Sequence, residues 1–117
     1  SNPLTTSDFW GLQYGPREIM KYFLTVKDNY DDLFVSGEFN GSNIFLKFYD
    51  SQNACQNKCK IGDFWRAPAI YNSKRRQLFS LSPEYLQLSS FKDDFLIKQR
   101  IYYPNGKLAF LIGELIN

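Results

Sequence analysis

Cys55 and Cys59 are the residues whose type and spacing bear most directly on chemistry, four positions apart in the polar run Cys55-Gln56-Asn57-Lys58-Cys59. Three chemistries are open to such a pair: a disulfide, two free thiols, or half of a metal site. A metal site needs two more ligands, and a chain with no histidine and no other cysteine would have to find them among carboxylates. A redox-active pair normally has two intervening residues in a βαβ setting. The expectation is a disulfide that stiffens a loop, formed in an oxidising compartment.

Elsewhere the chemical inventory is thin. Without histidine there is no Ser-His-Asp or Cys-His arrangement and no imidazole base. Gly37, Gly41 and Gly62 are isolated, so no glycine-rich loop can cradle a phosphate. A glycosidase-like carboxylate pair could be assembled, for instance from Glu38 and Asp63, but nothing selects it. The acids of Asp28-Asn29-Tyr30-Asp31-Asp32 lack the glycine and distal glutamate of an EF-hand and read as a solvated turn. The expectation is a protein that is not an enzyme, with no cofactor and no bound metal.

Binding is the better-supported role. Phe64-Trp65-Arg66 joins aromatic and cationic side chains of the kind enriched at interface hot spots. Adjacent strand residues point to opposite faces, so Phe64 or Trp65 should be at least partly exposed. Lys58 and Lys60, in the segment before it, complete the expected binding surface. Lys74-Arg75-Arg76 is the one basic cluster; with Lys58 and Lys60 it could meet an acidic partner, a phosphate or a lipid headgroup, but it reads better as a charged turn that keeps a strand edge soluble. A formal net charge of +2 is too mild for a charge-driven nucleic-acid binder. The expected partner is a protein or a small apolar ligand, not nucleic acid.

The elements that must carry these residues read as β throughout. Apolar residues alternate in Met20, Tyr22, Leu24 and Val26, which predicts a strand over Ile19 to Lys27. Further strands are predicted over Leu33 to Phe39, Asn43 to Tyr49, Ile61 to Tyr71, Gln77 to Leu81 and Glu84 to Leu88. Asn40-Gly41 is a strong hairpin signal, Asp50 to Lys60 reads as the longest loop, and Ser82-Pro83 divides two short strands. The last hairpin is the clearest. Phe95, Ile97, Gln99, Ile101 and Tyr103 alternate with Leu96, Lys98, Arg100 and Tyr102, Pro104-Asn105-Gly106 turns, and Lys107 to Ile116 returns.

The expected fold is therefore all-β: one domain over residues 1–117, an antiparallel meander of seven or eight strands closed as a barrel or sandwich. Residues 3–17 are expected to be irregular, with at most a short helix near Thr6 to Leu12. Aromatic residues make up 18% of the chain and are assigned to the core and to cross-strand pairs. No run is long and apolar enough for a membrane helix. Ser1-Asn2 resembles the scar of tag removal and is set aside, leaving a segment that reads as if a signal peptide or lipoprotein leader had preceded it. The functional expectation is a non-catalytic binding domain of an exported bacterial protein, periplasmic or on the surface. The alternative is an immunity or inhibitor protein that blocks a toxin or enzyme.

Overall fold

In the computed structural model the described residues are 15, 17–36, 53–62 and 71–116. They form one open sheet of five strands: β1 (Asp32–Ser36), β2 (Cys59–Gly62), β3 (Gln77–Leu81), β4 (Phe95–Tyr102) and β5 (Leu108–Leu115). The spatial order is β2-β1-β3-β5-β4. A helix, α1, spans residues 17–26, and a second, α2, spans Pro83–Leu88.

The sheet is mixed. β1 runs parallel to both β2 and β3, whereas β3 with β5 and β5 with β4 are antiparallel. This overturns the expected antiparallel meander of seven or eight strands closed as a barrel or sandwich. The parallel pairs are possible because the chain from β1 to β2, and that from β2 to β3, each have the length a crossover needs, about a dozen residues or more.

The stretch expected to be the first strand is α1. Its deeply buried residues are Ile19, Met20 and Phe23, while Lys21 and Thr25 are exposed. Spacing of three and four residues marks one face of a helix. The alternation of Met20, Tyr22, Leu24 and Val26 is real in the sequence, but it records the width of that stripe, since the last three are only half-buried. Glu18 and Lys21 form an i,i+3 ion pair at 3.4 Å on the exposed side. A 3-10 turn at Lys27–Asn29 then leads into β1.

The second correction has a capping cause. Glu84 to Leu88 is helix, because Ser82 caps it and Pro83 occupies the first turn. The Ser82 hydroxyl accepts from the Tyr85 N–H at 3.1 Å, and proline at the helix start has a fixed, compatible φ and no N–H to satisfy.

Helices cover both faces of the sheet. On one side α1 packs Ile19 and Phe23 on Leu33, Val35, Leu78 and Ile112. On the other, Tyr85 of α2 closes over Phe34, Phe79 and Leu81. The rings of Phe34 and Phe79 stack across neighbouring strands, 5.3 Å between centroids and 8° from parallel. β3 is buried at every position, which a strand covered on both faces requires.

The final hairpin forms with the expected turn, where Gly106 takes φ +88°. It is not in one phase. A bulge between Ile97 and Gln99 shifts the register, so Phe95 packs on the α2 side and Ile101 on the α1 side.

Candidate functional site

β2, β1 and β3 all begin at one end of the sheet, and the 71–76 loop arrives there just before β3. Asp32 opens β1 and lies in register with Gln77, which opens β3. Both are buried polar residues directly ahead of apolar runs. Asp32 is the centre of the site. Arg75 grips it side-on, Nε donating to Oδ2 at 2.7 Å and Nη2 to Oδ1 at 2.7 Å. Gln77 Nε2 donates to Oδ2 at 3.0 Å, and the Lys60 ammonium donates to Oδ1.

A buried carboxylate needs this many donors, since desolvation without them costs several kcal/mol. The Arg75 hydrogen bonds, against the opposing effect of burial and helped by Lys60 and Gln77, hold the Asp32 carboxyl well below the usual carboxylate range. The same pair raises the Arg75 guanidinium. Asp32 is therefore a fixed charge with both oxygens occupied, and it is unsuited to taking a proton at neutral pH.

The loop is held as firmly as the acid. Gln77 Oε1 accepts from the Asn72 N–H at 2.8 Å, and Arg75 N–H donates to the Asn72 carbonyl at 3.0 Å. The Arg76 N–H donates to Asp31 Oδ2 at 2.8 Å, and the Arg76 carbonyl accepts from the Asp31 N–H at 2.7 Å. The basic run Lys74-Arg75-Arg76 is thus more than a soluble turn. Arg75 anchors the loop to β1, and the Arg76 guanidinium lies over the Tyr30 ring, 5.8 Å from its centroid. The acids of the Asp28–Asp32 segment, expected to be solvated, divide accordingly: Asp28 and Asp31 are exposed, Asp32 is not.

Two adjoining depressions open on this surface. The smaller, about 220 Å³, lies between Tyr30 and Tyr71, with Arg75 and Arg76 on one side and Glu114 on the other. The larger and shallower one, about 530 Å³, extends past Asp32 and Lys60 to Phe34. Tyr71, Ser73, Arg75 and Gln77 line both, so they form one groove. At its far wall the Tyr30 hydroxyl donates to Glu114 Oε2. Burial, and then that acceptor, push the Tyr30 phenol well above its ordinary value, and burial with the nearby Glu114 charge raises Tyr22 as well. The Tyr30 phenol therefore stays neutral, and the Asp32 carboxylate and Arg75 guanidinium stay charged, across the physiological range.

The expected disulfide is present, linking Cys55 to Cys59 with Cα atoms 5.6 Å apart. Asn53, two residues ahead of it, and Gln56 and Asn57, within the turn it closes, take positive φ, and the Asn57 N–H donates to Asn53 Oδ1 at 2.8 Å. Cys55 is fully buried, its Sγ 3.4 Å from Met20 Sδ on α1. The bond thereby seats the start of β2 on the helix. The loop ends earlier than expected, for Cys59 and Lys60 already belong to β2.

Of the residues expected to bind a partner, Lys60 lines the groove. Lys58 does not, because its ammonium donates to the Lys27 carbonyl at 2.7 Å. Phe64, Trp65 and Arg66 lie outside the described residues, as do Asn40-Gly41 and the strand expected over Asn43 to Tyr49. Sequence reasoning missed Asp32, Gln77, Tyr30, Tyr71 and Glu114. For the first two a signal existed: Asp32-Leu33-Phe34-Val35 and Gln77-Leu78-Phe79 each place one polar residue before a continuous apolar run.

Among the described residues no group of three or more His, Cys, Asp or Glu is placed to hold a metal ion. No helix among them is long and apolar enough to cross a membrane. Comparison with protein-family models, with curated proteins and with solved structures gave no match.

Proposed function

We propose that this chain is a non-catalytic binding domain of an exported protein, and that it takes a protein partner in the groove at the start of the parallel strands. The observation that carries this reading is the groove's make-up: Tyr30, Tyr71, Arg75 and Arg76 line its smaller part, and the adjoining part holds a carboxylate, Asp32, whose oxygens are fully engaged. Tyrosine and arginine dominate interface hot spots, because they bring large contact area and fixed donors at modest entropic cost. The bonded loop adds pre-organisation, which lowers the cost of binding. A small apolar ligand is the weaker match, since charged and amide side chains line both depressions. Export is supported by the Cys55–Cys59 disulfide, a bond that persists in oxidising compartments.

The test is affinity capture from the envelope and secreted fractions of the producing organism, using wild type, Tyr71→Ala and Lys107→Ala. A species retained by wild type and Lys107→Ala but lost with Tyr71→Ala is expected. Equal retention by all three would refute the groove as the partner site.

A further inference from the structure

We infer that the partner segment seated in the groove is acidic, with an Asp or Glu side chain between Tyr30 and Tyr71 received by Arg75 and Arg76. This rests on the reading of the groove as a protein-binding site. The lining residues carry Lys60, Arg75 and Arg76 against Asp32 and Glu114, an excess of one positive charge. Asp32 uses only the Nε/Nη2 edge of the Arg75 guanidinium. The Nη1/Nη2 edge is left for a second planar acceptor, and a carboxylate matches it in shape. Arg76 faces the same depression, with its guanidinium over the Tyr30 ring. A depression of about 220 Å³ has room for a side chain rather than a domain.

The acids in the wall decide between anions. Glu114 borders this depression and the Asp32 carboxylate the larger one adjoining it, so a doubly charged phosphate meets more repulsion than a singly charged carboxylate does. Glu114 has company of its own, bonded by the Tyr30 hydroxyl and 3.9 Å from the Lys98 ammonium. A short peptide carrying one acid and polar neighbours therefore fits the pattern better than a dense anion. The chain's formal net charge of +2 favours the same class of partner over longer range.

The experiment is a titration of isotopically labelled protein with poly-L-glutamate, and separately with inorganic phosphate, followed by amide NMR. Wild type is compared with Arg76→Gln and with Lys107→Gln, the latter on the exposed hairpin turn. The expected result is that poly-L-glutamate moves the amides of Ser73, Arg75, Arg76 and Tyr30. Arg76→Gln should weaken binding about tenfold and Lys107→Gln less than about twofold. No binding, equal loss in both variants, or phosphate moving the same amides with equal or higher affinity would overturn the acidic-partner inference. Should Tyr71→Ala still abolish capture from extracts in that case, the groove stands as the partner site and only the acidic chemistry falls. A variant spectrum dispersed like wild type shows that Arg76→Gln folds; should it not, Tyr71→Phe with Arg76→Lys repeats the comparison.

Discussion

The two halves of the sheet are built on different rules. In the parallel half, β2, β1 and β3 are tied at their starts by an ion cluster around the buried Asp32, and β1 and β3 are covered on both faces. In the antiparallel half, β4 is an edge strand with Leu96 and Tyr102 nearly half exposed, and its partner β5 is placed by a tight turn. Local turn chemistry specifies the hairpin. Long-range polar contacts specify the parallel half: Asp32 meets Lys60, Arg75 and Gln77 from two other strands and a loop. The contrast implies that charge matters to stability at one end of the molecule and hardly at all in the other half.

The largest effect should come from removing the centre of that cluster. Asp32→Ala leaves Arg75 and Lys60 facing each other and removes one acceptor of the Gln77 amide, and should cost about 2–3 kcal/mol in urea unfolding. The matching surface change on the hairpin, Lys107→Ala, should stay within about 0.5 kcal/mol. Comparable losses would erase the distinction between the halves.

Acid tests the same cluster without mutation. Asp32 has a folded-state pKa depressed below its ordinary value of 3.8. Its contribution is therefore present above that value and is lost as the pH falls toward the folded pKa. Stability measured from pH 6 downward should decline below about pH 4, and the decline should be shallower in Asp32→Asn. An unchanged slope in the variant would mean that other carboxylates carry the acid sensitivity.

A packing change sharpens the comparison from the hairpin side. A Cβ at Gly113 would meet the Leu96 carbonyl and the Phe95 ring, which crosses β5 there. Gly113→Ala should cost about 1–3 kcal/mol through overpacking, with shifts in the signals of the Phe95 ring. Smaller still is the cap of α2. Ser82→Ala removes the acceptor for the Tyr85 N–H and should cost about 1 kcal/mol in thermal unfolding.

What could be read from the residues follows the same division. The β4–β5 hairpin was legible because Pro104-Asn105-Gly106 and the flanking apolar residues are neighbours in sequence. Its two register shifts were not, since an unpaired residue leaves no local mark. Strand β3 was legible as a short apolar run, but its parallel pairing with β1 depends on chain far away. α1 was misread because Ile19, Met20, Tyr22, Phe23, Leu24 and Val26 satisfy a period of two and a period of 3.6 at once. Burial of Phe23 with exposure of Lys21 and Thr25 decides it, and only packing shows that. α2 was misread although Ser82-Pro83 is a helix-start signal. Of the groove, Lys60 was found; Asp32 was taken for a solvated acid because its three partners lie 28 to 45 residues away.

The central claim is that a partner docks where the parallel strands begin. A photo-reactive amino acid placed at Ser73, in the groove, or at Asn105, on the hairpin turn, tests it in the producing organism. The account predicts a discrete covalent adduct from Ser73 and none from Asn105. An adduct from Asn105 alone would place the partner on the antiparallel half and contradict the account.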